Sequence, residues 1–233
     1  MLRNREGDLA TEPKYRTTAR FALESIEGIA LSPLIILSWP VAKRWLSNWG
    51  STPAERAKAW PGDELAPAAA VVYTRAIDIS APAEVVWRWV IQFGLGRAGF
   101  YSYELIERLV GIPVRNVESI LPNYQDLHVG EEVKLHPDAP GIPVGMFASG
   151  HHVCFGEPGE TTVRTPDPRR SWSLYVLPTS PRSARLLLRS CIEELRGPTW
   201  KKRLGVALEA PIDFTMEQRM LRTVRRLSEE RGA

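Results

Sequence analysis

The chain has 233 residues, of which 44% are hydrophobic and 24% charged, and its formal net charge is only +3. This composition is that of an ordinary globular protein, and the length suits one large domain or one domain with an appendage. The weak net charge gives no indication of nucleic-acid binding, and the two cysteines, Cys154 and Cys191, cannot form a disulfide framework.

The first 70 residues of the chain divide into three predicted segments. Residues 1–20 form a polar, basic tail, and residues 21–45 form an apolar helix interrupted by two prolines. The charge-free part of that helix, Gly28–Ala42, is shorter than the roughly 20 residues that a simple membrane span needs. Basic residues lie on both sides, so the positive-inside rule gives no orientation. A membrane anchor (spanning or interfacial) and a helix packed on the domain are both open. Residues 46–70 are predicted to be a linker.

The first regular strand of the predicted domain is Val71–Ile79, where apolar and polar residues alternate. The alternation places Arg75 on the apolar face, beside Tyr73 and Ile77. A buried arginine needs a partner, because an unpaired charge in a dry site is very costly. Arg75 therefore pairs with an internal acid, binds an anionic ligand group, or is turned outward by a bulge.

A helix is predicted over residues 80–93. Pro82 lies early in the segment, where its missing N–H costs little. Apolar residues then recur on one helical face: Val85, Val86, Trp89, Val90 and Phe93. Gln92 is a polar residue in the same segment that lines a cavity or serves a turn.

The stretch "GRAGFYSYELIERLVG" crowds three aromatic residues at the start of a short helix. Ser102 is predicted to cap that helix, which runs from Tyr103 to Val110. Phe100, Tyr101 and Tyr103 either fill the core or place at least one phenol on a cavity wall, where a ring and a hydroxyl together orient a guest.

The second half of the sequence predicts strands followed by one long helix. The helix is expected over Ile212–Glu230, and a hairpin is expected to join the last two strands. Strands that follow helices favour an α+β fold with an antiparallel sheet, and a long helix across a curved sheet leaves a space between them. The predicted strands lie at residues 130–136, 143–148, 151–155, 161–165, 171–177 and 183–193.

The element order and several segments resemble the SRPBCC or START-like (helix-grip) superfamily, which includes polyketide cyclases and lipid-transfer domains. The resemblance is to a bacterial branch described only as SRPBCC family proteins, and it implies a helix-grip domain over residues 71–231. It also implies an internal cavity for a hydrophobic molecule, and an apolar N-terminal segment that favours the anchor. The segments that carry the resemblance are Pro61–Leu65, Thr74–Gly111, Leu121–Val133 and Met216–Glu229.

Motifs for metals, cofactors and nucleophilic catalysis are weak. In "HHVC" (His151–Cys154), only two ligands share a strand face, whereas zinc normally takes three or four. The glycine-rich "GLGRAG" (Gly94–Gly99) follows a helix instead of a strand, which is the wrong context for a dinucleotide loop. No "GxSxG" occurs. The sequence therefore predicts neither a metal nor a cofactor.

The preferred prediction is non-catalytic binding, sequestration or transfer of a hydrophobic small molecule or lipid, at a membrane or in the cytoplasm. One alternative is a cyclase or aromatase-like enzyme using Tyr101, Tyr103 or Asp126, and another is a structural or interaction module without a ligand. No nucleic-acid partner is predicted, and the oligomeric state is left open. The predicted ligand-binding residues are Arg75, Trp89, Gln92, Phe100, Tyr101 and Tyr103.

Overall fold

The computed structural model describes residues 12–158, 169–194 and 200–232. Within these ranges the chain forms five α-helices and six β-strands. The helices are α1 (Thr18–Ser47), α2 (Pro53–Ala57), α3 (Ala83–Ile91), α4 (Glu104–Leu109) and α5 (Trp200–Gly232). The strands are β1 (Ala69–Ile79), β2 (Glu132–Val133), β3 (Ile142–Ala148), β4 (His152–Phe155), β5 (Arg170–Ser180) and β6 (Ser183–Glu193).

The six strands form one antiparallel, curved sheet in the order β1-β6-β5-β4-β3-β2. The first strand pairs with the last, Arg75 opposite Leu188, and β5 and β6 form the predicted hairpin. Irregular register in β1, β3 and β5 is of the kind that bends strands. The strand predicted at residues 161–165 lies outside the described residues.

The C-terminal helix α5 packs across α3 and β1 and buries Met220, Val224 and Leu227. It begins at Trp200, twelve residues before the predicted start at Ile212, so that prediction was wrong. Pro211 lies inside the helix without ending it, because a proline removes one backbone donor while neighbouring turns keep their hydrogen bonds. The long helix against a curved antiparallel sheet confirms the predicted α+β helix-grip fold.

The main core lies between α3, α5 and the inner face of the sheet. Trp89 of α3, Leu186 of β6 and Leu221 of α5 are fully buried there. The packing of these residues explains the apolar stripe predicted for α3, because burial of one apolar face is what stabilises a short helix.

The segment predicted as a linker at residues 46–70 packs on the outer face of the sheet. The Trp60 ring packs at a tilt against the Tyr175 ring, with 4.7 Å between the ring centroids. Asp63 accepts a hydrogen bond from Arg189 at 2.7 Å, and Glu55 of α2 pairs with Arg185 at 2.5 Å. Both faces of the sheet are therefore covered, at least where β1, β5 and β6 lie.

Candidate functional site

A cavity of about 430 Å³ lies between α5, the end of α4 and the inner face of the sheet. This volume falls within the range of small-molecule sites in proteins. Its wall is mostly apolar, and the large residues in it are Phe93, Phe100, Phe155, Trp172, Met216 and Met220. The space that the sequence predicted between helix and sheet is thus only partly filled by side chains.

Several polar groups of the wall are paired with one another or with Arg75 behind it. Glu217 of α5 forms an ion pair with Arg75 of β1. The same carboxylate accepts hydrogen bonds from Trp172 Nε1 at 2.9 Å and from the Tyr73 hydroxyl at 3.3 Å. Arg170, the one cationic side chain among the described lining residues, pairs with Glu209. These groups have no charge left over for a ligand.

Asp213 differs from Glu217, although it lies one turn earlier on the same helix and lines the same cavity. Its side chain is half-buried, and no described residue donates a hydrogen bond to its carboxylate. Burial, reinforced by the nearby charge of Glu209, raises the pKa of Asp213 to about 6, against the opposing effect of Arg75 and Arg170. Among the described residues of the wall, Asp213 is the carboxylate without a hydrogen-bond partner.

Glu107 of α4 is a further acid in the wall. It is buried, and the Ser102 hydroxyl donates a hydrogen bond of 2.8 Å to its Oε1. Burial raises the pKa of Glu107, and the Ser102 bond only partly opposes this. The predicted cap at Ser102 was therefore wrong: α4 begins at Glu104 with Tyr103 as N-cap and no capping side chain, because the hydroxyl is used by Glu107.

The loop that carries Phe100 into the wall is held by Asn116, a residue that the sequence analysis missed. Asn116 Oδ1 accepts from the backbone N–H of Phe100 at 2.9 Å and of Tyr101 at 2.6 Å. The backbone N–H of Asn116 donates a hydrogen bond to Glu104 Oε1 at 2.7 Å. Tyr101 has a φ of 57°, a left-handed conformation that is costly for a tyrosine and is held by these bonds. The Asn116 contacts span twelve or more residues, so no local pattern reveals them.

Arg75 lies on the inner face of β1 as predicted, with its guanidinium 4.2 Å from the centre of the Tyr73 ring. It is buried and paired with Glu217, which is the internal acid that the sequence left as one alternative. It also donates a hydrogen bond to the Leu46 carbonyl at 3.4 Å. Arg75 thus supports the cavity wall from behind, and its ligand contact stays a prediction.

The other five predicted ligand-binding residues divide into one in the wall and four outside it. Phe100 lines the cavity and packs against Phe93, with 5.3 Å between the ring centroids. The Tyr101 hydroxyl donates to the Trp89 carbonyl at 3.1 Å and accepts from Gln92 Nε2 at 2.8 Å, so these three residues form one buried cluster.

Tyr103 and Asp126 lie away from the cavity wall. Tyr103 is buried under α1, where its ring contacts Gly28. Asp126, the acid of the enzyme alternative, is at the surface with His128 at 3.4 Å. Ligand contact by Tyr103, and by Trp89, Gln92 and Tyr101, stays a prediction.

Within the described ranges, no group of three or more His, Cys, Asp or Glu side chains is placed to hold a metal ion. Cys154 and Cys191 are buried thiols, and burial raises the pKa of each to about 11. A thiol with so high a pKa is a poor nucleophile near neutral pH.

No family model matches the sequence, and no curated protein matches it. Solved structures with some likeness include the di-domain ARO/CYC BexL from the BE-7585A biosynthetic pathway, at 15% identity and a TM-score of 0.38, covering 68% of this chain and 46% of that one. The chain therefore spans less than half the length of that protein.

Two further solved structures are the ZhuI aromatase/cyclase from Streptomyces sp. R1128 and norcoclaurine synthase from Thalictrum flavum in complex with dopamine and hydroxybenzaldehyde. The first is 12% identical over 69% of this chain and 94% of that one, with a TM-score of 0.37. The second is 12% identical over 76% of this chain and 96% of that one, with a TM-score of 0.38. The fold assignment rests on the strand order and helix packing described above.

The fold and the site together define a class: a protein of helix-grip fold with a partly open, mainly apolar cavity, in which one carboxylate of the described wall has no hydrogen-bond partner.

Proposed function

We propose that the protein binds a hydrophobic small molecule in the cavity under α5, and that the molecule carries an amine or hydroxyl donor. The observation that carries the proposal is Asp213, an unpartnered carboxylate in an apolar wall. In a mainly apolar pocket, a small number of polar groups fix the orientation of the ligand. The apolar wall supplies the affinity, at roughly 25 cal/mol per Å² of apolar surface buried.

The charge of the wall favours a donor over an anion. An anionic group would meet Glu107 and Asp213, while Arg170 and Arg75 are already neutralised by Glu209 and Glu217. Like charges in a site of low dielectric repel strongly. The anionic guest that the sequence suggested through Arg75 is therefore the less favoured ligand.

A matched series of pyrene probes tests the proposal: 1-pyrenemethylamine, 1-pyrenemethanol and 1-pyrenecarboxylate share one ring system and differ in the handle. Fluorescence titration of the full chain near neutral pH is expected to give affinities in the order amine, alcohol, carboxylate. Preference for the carboxylate, or saturable binding of none of the three, would contradict the proposal.

Two variants locate the binding. Asp213→Asn is expected to weaken the amine about tenfold and leave the alcohol nearly unchanged, since a charged hydrogen bond contributes about 1.5–3 kcal/mol. Met216→Trp places a larger ring in the cavity and is expected to weaken all three probes. Val129→Trp, at an exposed valine before β2, is the matched control and is expected to change none.

A second candidate is an enzyme that uses Asp213 as general base or acid. A carboxyl whose pKa is about 6 lies near the range that suits proton transfer, and it faces an apolar cavity. The probe is 5-nitrobenzisoxazole, whose ring opens when a base removes the C3 proton and the N–O bond breaks. A rate that rises through about pH 6 and is lost in Asp213→Asn favours this candidate. A rate no greater than that of free acetate at equal concentration removes it.

A further inference from the structure

The polarity of α1 is the reverse of that expected for a surface helix. Its acids point inward: Glu24 pairs with Arg16 and Arg219, and Glu27 lies 3.0 Å from Arg219. Its outward face carries large apolar residues spaced three to five apart, which we call the outer stripe: Leu23, Ile26, Ile29, Leu34, Leu37 and Val41.

The outer stripe is strongly exposed and lacks charge. Leu37 is 76% exposed and Val41 is 92% exposed. No exposed position of α1 between residues 22 and 41 is charged. An apolar surface of this extent is rare on a protein that meets only water.

By length and composition, α1 is the one helix in the described part of the chain that could cross a membrane. Its packing argues against crossing. A Cβ on Gly28 would lie 3.0 Å from the Tyr103 ring, and the Trp39 ring lies 6.4 Å from that of Phe214. The Arg219 pairs add a further tie to α5. A helix held along its side would draw the charged α5 into the hydrocarbon if it spanned, which is expensive.

Exposed apolar residues also mark the entrance of the cavity, next to α1. Val110 and Ile212 line the cavity and are exposed as well. Val110 is one turn beyond Ile106, which contacts Gly28 of α1, and Ile212 is two residues before Phe214, which contacts Trp39. The cavity entrance therefore lies beside the helix that carries the outer stripe.

Positive charge gathers at the C-terminal end of α1. Lys43 and Arg44 are exposed on its last turns. Arg222 and Arg225 of α5 are exposed in a groove beside Trp49, just past the helix end. None of the four forms an ion pair with a carboxylate in the described ranges. Exposed basic side chains at the edge of an apolar stripe complement anionic lipid headgroups.

We propose that the outer stripe docks in the plane of an anionic bilayer, with α1 lying along one leaflet over its length of about 45 Å. The cavity entrance at Val110 and Ile212 then opens toward lipid, and an apolar guest passes sideways between bilayer and cavity. The docking stands without the proposed function, whereas the sideways passage rests on it.

The test uses the full chain with vesicles of phosphatidylcholine, alone or with phosphatidylglycerol at three to one. A nitrobenzoxadiazole label on Leu37→Cys is expected to shift to the blue on adding vesicles, more strongly with phosphatidylglycerol. The same label on Val129→Cys is the matched control and is expected not to shift. No shift at residue 37, or an equal shift at both positions, overturns the docking.

Separate variants distinguish the apolar contribution to vesicle binding from the electrostatic one, and concentration dependence distinguishes a bilayer from a second copy of the chain. Leu37→Asp is expected to reduce vesicle binding at least about tenfold with pyrene affinity unchanged, so docking and ligand binding fail independently. Lys43→Glu with Arg44→Glu is expected to remove the preference for phosphatidylglycerol. A residue-37 shift that grows with protein concentration in the absence of vesicles means a second copy covers the stripe, and overturns the proposal.

Placement in the plane is tested at the two ends of α1. Labels on Thr18→Cys and Asn48→Cys are both expected to be quenched by iodide added outside the vesicles. Protection of one end until the vesicles are opened would mean that α1 crosses the bilayer, and would overturn the in-plane placement. Transfer of 1-pyrenemethanol from vesicles to the protein is expected to be slower in Leu37→Asp than in the unsubstituted chain, and equal rates overturn the sideways passage.

Discussion

Two acids one turn apart on α5 have opposite surroundings. Glu217 is held by Arg75, Tyr73 and Trp172, so every strong contact it can make is made inside the protein. Asp213 faces the same cavity, and its carboxylate accepts no hydrogen bond from any described residue. Partners offset the cost of burying a charge, whereas a half-buried charge without partners lowers stability and is available to a ligand.

The largest effect on stability is expected from substituting Glu217, the acid that has partners. Glu217→Ala leaves the Arg75 guanidinium buried and unpaired, and we expect it to lower the free energy of unfolding by about 3–5 kcal/mol. Urea denaturation measures the loss. The double variant Arg75→Met with Glu217→Leu removes both charges and is expected to recover most of it. A double variant as unstable as Glu217→Ala would show that the charges themselves hold the fold.

The unpaired acid should respond in the opposite direction. The pKa of Asp213 rises from 3.8 to about 6 on folding, so its contribution favours the folded state below about pH 4 and is lost as the pH rises through about 6. Asp213→Asn is therefore expected to stabilise the ligand-free protein by about 1–2 kcal/mol at about pH 8, with allowance for solvent screening at a half-buried site. The gain should vanish near pH 4. A loss of stability at pH 8 would mean that Asp213 has a partner.

Ligand binding should show the same titration. Binding of 1-pyrenemethylamine is expected to weaken about tenfold as the pH falls from about 7.5 to about 5, because protonated Asp213 no longer attracts the ammonium group. Binding of 1-pyrenemethanol should change much less. Parallel curves for the two probes would remove Asp213 from the ligand contact.

The smallest effect tests the cluster behind the wall. Tyr101→Phe removes a hydroxyl that bonds Trp89 and Gln92, and we expect a loss of about 0.5–1.5 kcal/mol in stability. Pyrene affinity should stay within about twofold, a change of less than half a kcal/mol. A larger change in affinity, with stability intact, would support the direct ligand contact that the sequence predicted for Tyr101.

Local patterns were enough for most of the fold. The alternation in β1, the apolar stripe of α3 and the hairpin turn before β6 each depend on a few neighbouring residues. The structure confirms the strand, the helix and the hairpin. It corrects the half-buried pattern of β1, which is buried on both faces from Tyr73 to Ile77 because the segment at residues 46–70 covers the outer face. The start of α5 was misplaced because Pro211 looked like a boundary. A proline ends a helix only where the turns around it also lack support.

The sequence by itself determined which segments are helices and strands, their α+β order and the inward position of Arg75 in β1, since these follow from short-range periodicity. The space under the last helix was predicted from the order of the elements and from the resemblance to helix-grip proteins. Only the tertiary structure decided which polar groups are used up and which are free. Arg75 meets Glu217 across more than 140 residues, and Asn116 reaches back to Tyr101. Electrostatic pairing depends on distance in space, and the chain brings such groups together only when the sheet and α5 close on each other.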